Sequence, residues 1–202
     1  MIFAISTQLN RPIHSMDISQ AFTQADDLRS DSQLYIHPPY GLEYTPDTVW
    51  KLVKPLYGLS IAPKAWADTL KKFIIGYGFK SVNNSDTFFV LDTPEGESMH
   101  LVFHVDDLLF NFSSDELGLK FKYDLLSRFD GTDDGPVHTF VGINVERDEY
   151  HTHLTQLPLT ESLLADFGLT DCNPVKTPMD PGTLLTAHQE GDPDGHVSLL
   201  MY

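Results

Sequence analysis

Two adjacent carboxylates interrupt an apolar run in the middle of the chain. Asp106 and Asp107 separate LVFHV from LLFNF, and both of these segments are typical of buried strands. The two strands leave no room for a long loop, so we expect the aspartates to lie in a tight hairpin turn. A third carboxylate, Asp17, also ends an apolar strand, in HSMDISQAF. Aspartate is common in surface turns, but strands that are apolar on both faces favour a central hairpin.

Three carboxylates gathered at one edge of a sheet would repel one another, because burial and like charge both disfavour ionisation. Hard cations with oxygen ligands, above all Mg²⁺, would neutralise them. Two such ions, about 3.5–4 Å apart, activate an attacking hydroxyl and stabilise a leaving phosphate in phosphoryl transfer. The pattern therefore predicts Asp17, Asp106 and Asp107 as a two-metal site. Hydrolysis of a generic phosphodiester by the same carboxylates is an alternative.

Histidines offer a competing metal interpretation. His100, His104 and Asp106 are at alternate positions, so one face of a strand could present all three to zinc. His151 and His153 repeat this spacing near the C-terminal hairpin, where an exposed strand face is the simpler interpretation.

Composition favours a globular intracellular protein. The 202 residues are 41% hydrophobic, enough for one domain with a substantial core. The single cysteine, Cys172, excludes an intrachain disulfide. The first residues, MIFAISTQLN, form neither a signal peptide nor a membrane span. The net charge of −16, concentrated after residue 120, argues against a free-standing nucleic-acid binder.

Hydrophobic periodicity predicts an α+β fold with helices packed on one face of a mainly antiparallel sheet. The best helix opens near Pro63, and a second follows Asp115 as its predicted N-cap. Further short helices are predicted over 1–5, 17–24 and 159–167. Strands are predicted over 12–17, 34–37, 49–53, 87–91, 100–105, 108–112, 139–147 and 152–156.

Six blocks along residues 14–202 together resemble the reverse transcriptase of copia-type LTR retrotransposons. One block alone would be weak, but six in the family's order are specific. The blocks are MDISQAF (16–22), LYIHPPYG (34–41), KLVKPLYGLSIAPKAW (51–66), HVDD (104–107), FVGI (140–143) and CNPVKTPM (172–179).

The resemblance implies a polymerase palm-like sheet with truncated fingers and a partial thumb or connection region. The expected parts are a palm over 1–150, a hairpin and helix over 151–179, and an extended or disordered tail over 180–202. His104 departs from the family, which has Tyr before the aspartates. Ser60 and Ile61 stand where Lys and Gln are typical.

The resemblance also implies a role for each matched residue. The metal ligands would be Asp17, Asp106, Asp107 and the main-chain carbonyl of Ile18. The nucleotide site would include Ile18, Phe22, Tyr57 and Gly58, with Phe22 rejecting a ribose 2′-hydroxyl. Trp66 is expected to lie in the core.

The implied activity is RNA-directed DNA synthesis by two Mg²⁺ ions, with Mn²⁺ as a substitute. The implied partners are an RNA or DNA template-primer, deoxynucleoside triphosphates, and integrase and ribonuclease H domains of a polyprotein. The expected location is cytoplasmic, in virus-like particles, or nuclear, and no membrane is expected. An alternative is an inactive or domesticated remnant that acts as an interaction module.

Overall fold

A computed structural model describes residues 1–28, 33–148, 150–177 and 179. The chain divides into two units, residues 1–159 and 160–202, and the predicted tail over 180–202 lies outside the described residues. The described helices are α1 (Ile2–Gln8), α2 (Ala62–Tyr77), α3 (Asp115–Arg128) and α4 (Leu157–Asp166), with a 3₁₀ helix over Ala21–Gln24. The strands are β1 (Ile13–Ile18), β2 (Tyr35–Ile36), β3 (Trp50–Lys51), β4 (Lys80–Ser81), β5 (Phe88–Asp92), β6 (Ser98–His104), β7 (Asp107–Phe112), β8 (Gly131–Pro136), β9 (Thr139–Phe140), β10 (Ile143–Arg147) and β11 (Thr152–Thr155).

The central sheet has six strands in the order β4-β5-β6-β7-β1-β8, and every neighbouring pair is antiparallel. Two smaller antiparallel sheets, β11-β10-β9 and β2-β3, complete the strand pairing of the described residues. This arrangement confirms the prediction of helices combined with a mainly antiparallel sheet. Because β1 lies between β7 and β8, residues far apart in the chain meet at its ends.

The main core lies between one face of this sheet and helices α2 and α3. Trp66 and Leu70 of α2 and Phe121 and Leu125 of α3 are almost completely buried there. Each such side chain contributes roughly 1.5–3 kcal/mol by leaving water. Strand residues of alternating position, such as Phe110, complete the cluster. The predicted helical spacing of both helices is confirmed.

The other face of the sheet is covered in part by α1. Ile2 packs with Leu109 in a second, smaller core cluster. Beside them, the buried amide of Asn111 donates from Nδ2 to Ser6 Oγ at 2.6 Å, and its Oδ1 lies 2.9 Å from His100 Nδ1. The prediction that helices pack on one face only is therefore wrong for α1, because residues that alternate with the main core are also apolar and need cover.

A buried cation joins α3 to the two strands beside it. Lys122 is only 8% exposed, and its Nζ lies 2.8 Å from both His14 Nδ1 on β1 and Asp133 Oδ1 on β8. Burial and the nearby Lys122 charge lower the pKa of His14. Burial alone would raise the pKa of Asp133, but hydrogen bonds from Lys122 and the Gly135 backbone lower it. The network fixes α3 against the end of the sheet.

Local signals explain where the helices begin and end. Pro63 lies in the first turn of α2, as predicted, and Gly78 ends that helix with a φ of 118°. The predicted N-cap Asp115 is wrong, since the cap of α3 is Ser114, whose side chain accepts a hydrogen bond from Leu117 N–H. Asp115 instead lies in the first turn, where its charge is favourable to the helix dipole.

Two strands were not predicted, and one predicted strand is divided. β4 and β8 carry little apolar alternation, although both pair within the central sheet. The segment predicted as one strand over 139–147 forms β9 and β10, because Val141 and Gly142 have φ angles of 47° and 73°. Within the described part of the chain, no helix is long and apolar enough to cross a membrane.

Candidate active site

The candidate active site lies where β1 and β7 run side by side. In their antiparallel register Asp17 is the direct partner of Asp107. Directly opposed residues point to the same face, with Cβ atoms about 4.5–5.5 Å apart. The Ile18 N–H donates to the Asp106 carbonyl at 3.0 Å, which ties the end of β1 to the β6–β7 turn. The structure therefore brings together the three aspartates that the sequence singled out.

The sheet face that carries Asp17 and Asp107 is the one opposite α2 and α3. Met16, Ile18 and Leu108 alternate with these aspartates along the strands, and all three are buried in the main core. The aspartates are themselves only half-buried. Their carboxylates thus lie on the accessible side of the sheet, while the apolar side of the same strands fixes their position.

The turn that carries Asp106 is a strained two-residue hairpin. His104 pairs with Asp107, so Val105 and Asp106 are the two central residues. Val105 has a φ of 57°, a sign that the primed hairpin turns require at this position but that a β-branched residue rarely adopts. Such a conformation costs about 1–3 kcal/mol and persists only when its surroundings enforce it.

Trp66 provides that enforcement. Its indole Nε1–H donates to the Val105 carbonyl at 2.5 Å, and its ring is 1% exposed. The ring also packs edge-on against Phe129, with centroids 5.2 Å apart. The prediction that Trp66 belongs to the core is confirmed, and the hydrogen bond adds a second role. The packing of α2 against the sheet determines where the Asp106 turn lies.

Burial and mutual repulsion together mark the carboxylates as a group. Burial, followed by the charges of Asp106 and Asp134, raises the pKa of Asp17. Burial also raises the pKa of Asp107, as do Asp106, Asp17 and Asp134, while His104 lowers it. Carboxylates that disfavour their own ionisation in this way gain most from a nearby cation.

The chemistry of this site fits Mg²⁺ better than zinc. It offers carboxylate oxygens, the ligands that hard cations prefer. Among the described residues, the carboxylate oxygens of these three side chains are not all within 4.8 Å of one another, so they are not arranged as ligands of a single ion. The geometry does not support the zinc alternative either, because His100, which is hydrogen-bonded to Asn111, forms no such group with His104 and Asp106 within the described ranges.

Sequence reasoning missed two residues beside the aspartates, both on β8. Gly131 is the partner of Ile18, and a Cβ on it would collide with the Asp17 carbonyl oxygen. Asp134 lies where the β1–β8 register shifts, and its charge acts on both Asp17 and Asp107. The only sequence signal was the turn-like GTDDGP, which does not predict pairing with β1.

The residues expected to line a nucleotide site also come together in part. The rings of Phe22 and Tyr57 are in contact, with centroids 4.5 Å apart. Phe22 follows β1 in the 3₁₀ helix and packs against the main core, whereas Tyr57 is 57% exposed. Gly58 has a φ of 91°, which favours glycine in that turn. Ile18 is 1% exposed, and its side chain packs in the main core.

Comparison with known proteins identifies the family of this chain. The family model described as "Reverse transcriptase (RNA-dependent DNA polymerase)" matches residues 1–181, and the chain belongs to that family. The resemblance inferred from the six sequence blocks is thereby confirmed.

Three of the relatives of this chain are retrovirus-related Pol polyproteins from transposons. The chain is 32% identical to the retrovirus-related Pol polyprotein from transposon RE2 of Arabidopsis thaliana, over 93% of this chain and 13% of that protein. It is 30% identical to the corresponding RE1 protein of the same plant, with the same coverage. It is 28% identical to the transposon TNT 1-94 polyprotein of Nicotiana tabacum, over 88% of this chain and 14% of that protein. The chain thus spans a small part of each relative. No solved structure matches it.

Proposed function

We propose that this chain carries the catalytic centre of an RNA-directed DNA polymerase and transfers nucleotides to a primer 3′-hydroxyl. The observation that carries this proposal is the register of β1 and β7, which sets Asp17 opposite Asp107 and beside the Asp106 turn. The proposed metal ligands are the carboxylates of these three residues and the main-chain carbonyl of Ile18. The palm-like character of the sheet belongs to the same proposal.

Each part of this site would have a distinct task. Two Mg²⁺ ions, or Mn²⁺, would activate the 3′-hydroxyl and stabilise the leaving pyrophosphate. The aspartates would hold the cations on the accessible face of the sheet, and the rigid hairpin would limit their movement. Positioning and charge neutralisation would then supply most of the catalysis, as in phosphoryl transfer generally.

We further propose that Phe22, Tyr57 and Gly58 form the nucleotide site. The contact between the two rings supports this, because it places Tyr57 directly beside Phe22. A fixed ring beside the incoming sugar would collide with a 2′-hydroxyl and so select deoxyribose. The exposed backbone at Gly58 leaves room for a ligand to approach closely, since no atom lies within 4 Å of where a Cβ would be.

The proposed partners follow from the reaction. They are an RNA or DNA template-primer, deoxynucleoside triphosphates, and the integrase and ribonuclease H domains of a polyprotein. A net charge of −16 repels nucleic acid, so we expect partner domains or cations to supply positive charge. The proposed setting is cytoplasmic, in virus-like particles, or nuclear.

Primer extension on an RNA template tests the proposal. With Mg²⁺ or Mn²⁺ present, Asp106→Asn should lower product formation by about 10²-fold or more, equivalent to about 2.7 kcal/mol in the barrier. Asp92→Asn is the matched control, because Asp92 is an exposed strand aspartate at the other end of the sheet. Equal activity of wild type and Asp106→Asn would overturn the catalytic role.

A second candidate is a module that keeps this fold without catalysis. It is favoured by His104 in place of tyrosine and by carboxylate oxygens that do not yet form one cage. Divalent-cation binding separates the two functions. A catalytic site must bind Mg²⁺ or Mn²⁺ through Asp17, Asp106 and Asp107, whereas a non-catalytic module would tolerate replacement of these residues without any change in cation affinity.

A further inference from the structure

The hairpin formed by β10 and β11 gathers acidic and histidine side chains on one face. Glu146 pairs directly with His153, and the Asp148 N–H donates to the His151 carbonyl at 3.0 Å. Side chains on a strand alternate between faces, so positions 146 and 148 share a face with 151 and 153. The two strands therefore present two carboxylates opposite two imidazoles.

Three of these groups are spaced as ligands of one metal ion. Asp148 Oδ1 lies 3.3 Å from His151 Nδ1, and Asp148 Oδ2 lies 3.7 Å from His153 Nε2. One ligand atom from each residue lies within 4.8 Å of the other two. Atoms bonded at about 2.0–2.1 Å to one tetrahedral ion are about 3.3–3.4 Å apart, so small side-chain rotations would complete the geometry.

The carboxylate of this group is already fixed. Asp148 Oδ1 accepts hydrogen bonds of 2.7 Å from the backbone N–H groups of both Tyr150 and His151. These bonds lower the pKa of Asp148, so its negative charge is present well below neutral pH. The two histidine rings lie 5.8 Å apart, centroid to centroid, and are more than half exposed. Little reorganisation separates this arrangement from a bound state.

We propose that Asp148, His151 and His153 bind a transition-metal ion of the Zn²⁺, Ni²⁺ or Cu²⁺ class. Two imidazole nitrogens and one carboxylate oxygen suit these ions and disfavour Mg²⁺, which prefers oxygen ligands alone. Its ligands differ from those of the candidate active site at β1 and β7, where the aspartates offer oxygen atoms alone. Three protein ligands leave a position for water or a further group on the exposed side of the hairpin.

The site borders a depression between the hairpin and α1. Phe3, Thr7 and Gln8 of α1 line it together with His151 and His153. Thr7 Oγ1 lies 2.6 Å from Thr152 Oγ1, which attaches the hairpin to the helix. A bound ion would join the two hairpin strands through their side chains, and so would make the hairpin harder to open.

Metal titration of the purified chain tests this inference. Isothermal titration with Zn²⁺ and the visible absorption of bound Co²⁺ should report one nitrogen-containing site. We expect His151→Ala and His153→Ala each to weaken Zn²⁺ binding more than tenfold. An excess of Mg²⁺ should not displace the ion. The matched control is His37→Ala, since His37 is exposed on a different segment.

The titration must also distinguish this site from Asp17, Asp106 and Asp107. Repeating the titration with Asp106→Asn should leave Zn²⁺ affinity unchanged, and circular dichroism should show that every variant is folded. Equal affinity of wild type and the His151→Ala/His153→Ala double variant would overturn the site. Loss of binding in Asp106→Asn instead would assign the ion to the aspartates and likewise overturn it.

Discussion

The hydrogen bond from Trp66 to Val105 connects core packing to the candidate active site through two residues. Val105 adopts a φ that β-branched residues disfavour, and the indole N–H binds its carbonyl at 2.5 Å. The ring of Trp66 is buried between α2 and the end of α3. The strain in the turn is thus maintained by a residue that does not itself reach the carboxylates, which makes Trp66 a positioning residue.

Replacing Trp66 with Phe removes the indole donor and keeps much of the ring. We expect the free energy of unfolding to fall by about 1–3 kcal/mol, from the lost hydrogen bond and a small cavity. We also expect Mn²⁺ affinity at the aspartates to fall several-fold, because the turn loses its anchor. Urea unfolding and a Mn²⁺ titration measure the two effects. Trp50→Phe is the control, as Trp50 is 42% exposed on β3. Unchanged Mn²⁺ affinity would reduce Trp66 to a core residue.

Burial and repulsion at Asp107 together predict an unusual pH dependence of stability. The pKa of this carboxyl is raised above 3.8, chiefly by burial and then by Asp106 and Asp17. The folded state therefore binds its proton more tightly than the unfolded state, so stability falls as pH rises from about 4 through the folded-state pKa. Asp107→Asn should remove this decline and raise the free energy of unfolding at pH 7 by about 0.2–1 kcal/mol after solvent screening.

Thermal melts between pH 3 and pH 7 in the presence of a chelator measure this difference. The quantity to compare is wild type minus variant at each pH, since other groups titrate in both proteins. Asp92→Asn should show no such trend, because Asp92 lies at the other end of the sheet. A variant that is less stable than wild type at pH 7 would mean that Asp107 makes favourable contacts that outweigh the repulsion.

At the scale of elements, β8 is the strand that determines how β1 ends. Gly131 lies so close to β1 that a Cβ would meet the Asp17 carbonyl oxygen. Gly131→Ala should destabilise the fold by about 1–3 kcal/mol, because backbone has to move to relieve the overlap. Since the movement occurs at Asp17, primer extension should fall as well. Urea unfolding and the extension assay check both effects.

Gly76→Ala is the matched control for the Gly131→Ala substitution in β8. Gly76 lies inside α2 with no atom within 4 Å of a built Cβ, and alanine is favoured over glycine in helices. We expect Gly76→Ala to be neutral or stabilising by up to about 1 kcal/mol. If Gly131→Ala were equally harmless, β8 would have room to shift and would not constrain Asp17.

The sequence predicted the helices and strands that have their own hydrophobic periodicity. It did not predict the strands that depend on pairing with a neighbouring strand. α2, α3 and the β6–β7 hairpin follow from apolar spacing and turn residues. β8 reads GTDDGP and pairs with β1 through its backbone, so periodicity gave no sign of it. β1 was predicted as a strand, but its place between β7 and β8 depends on pairing over long sequence separations.

The residues of the candidate site likewise divide into those that the sequence predicted and those that it did not. The sequence alone identified the two adjacent aspartates in a hairpin as candidate functional residues, because placing charge inside an apolar run costs free energy. The proposed roles of Phe22 and Tyr57 came only from the family resemblance, and the structure adds that their rings are in contact. Asp134 could not be foreseen, because it joins the carboxylate group only through the register shift between β1 and β8.

At the scale of the whole molecule, the net charge of −16 and the carboxylate group act in the same direction. In the absence of cations, both raise the electrostatic free energy of the folded chain, because negative charges repel one another. They differ in range, because salt screens surface charge over about 10 Å at 0.1 M, whereas the carboxylates need an ion bound among them. Cations of different valence should therefore separate the general effect from the specific one.

Mg²⁺ should stabilise the whole chain more than Na⁺ does at equal ionic strength. Binding to the folded state alone adds RT ln(1 + [L]/Kd), or about 1.4 kcal/mol at ten times the Kd. Thermal melts in MgCl₂ and in NaCl of matched ionic strength measure this excess. An Asp17→Asn/Asp106→Asn double variant should lose the excess and keep the response to Na⁺. The His151→Ala variant should retain it, because the histidine-containing hairpin is not expected to bind Mg²⁺. Equal responses to the two salts in wild type would show that the three aspartates hold no magnesium in this chain, and the proposal of a two-metal polymerase site would then fail even though the fold is correct.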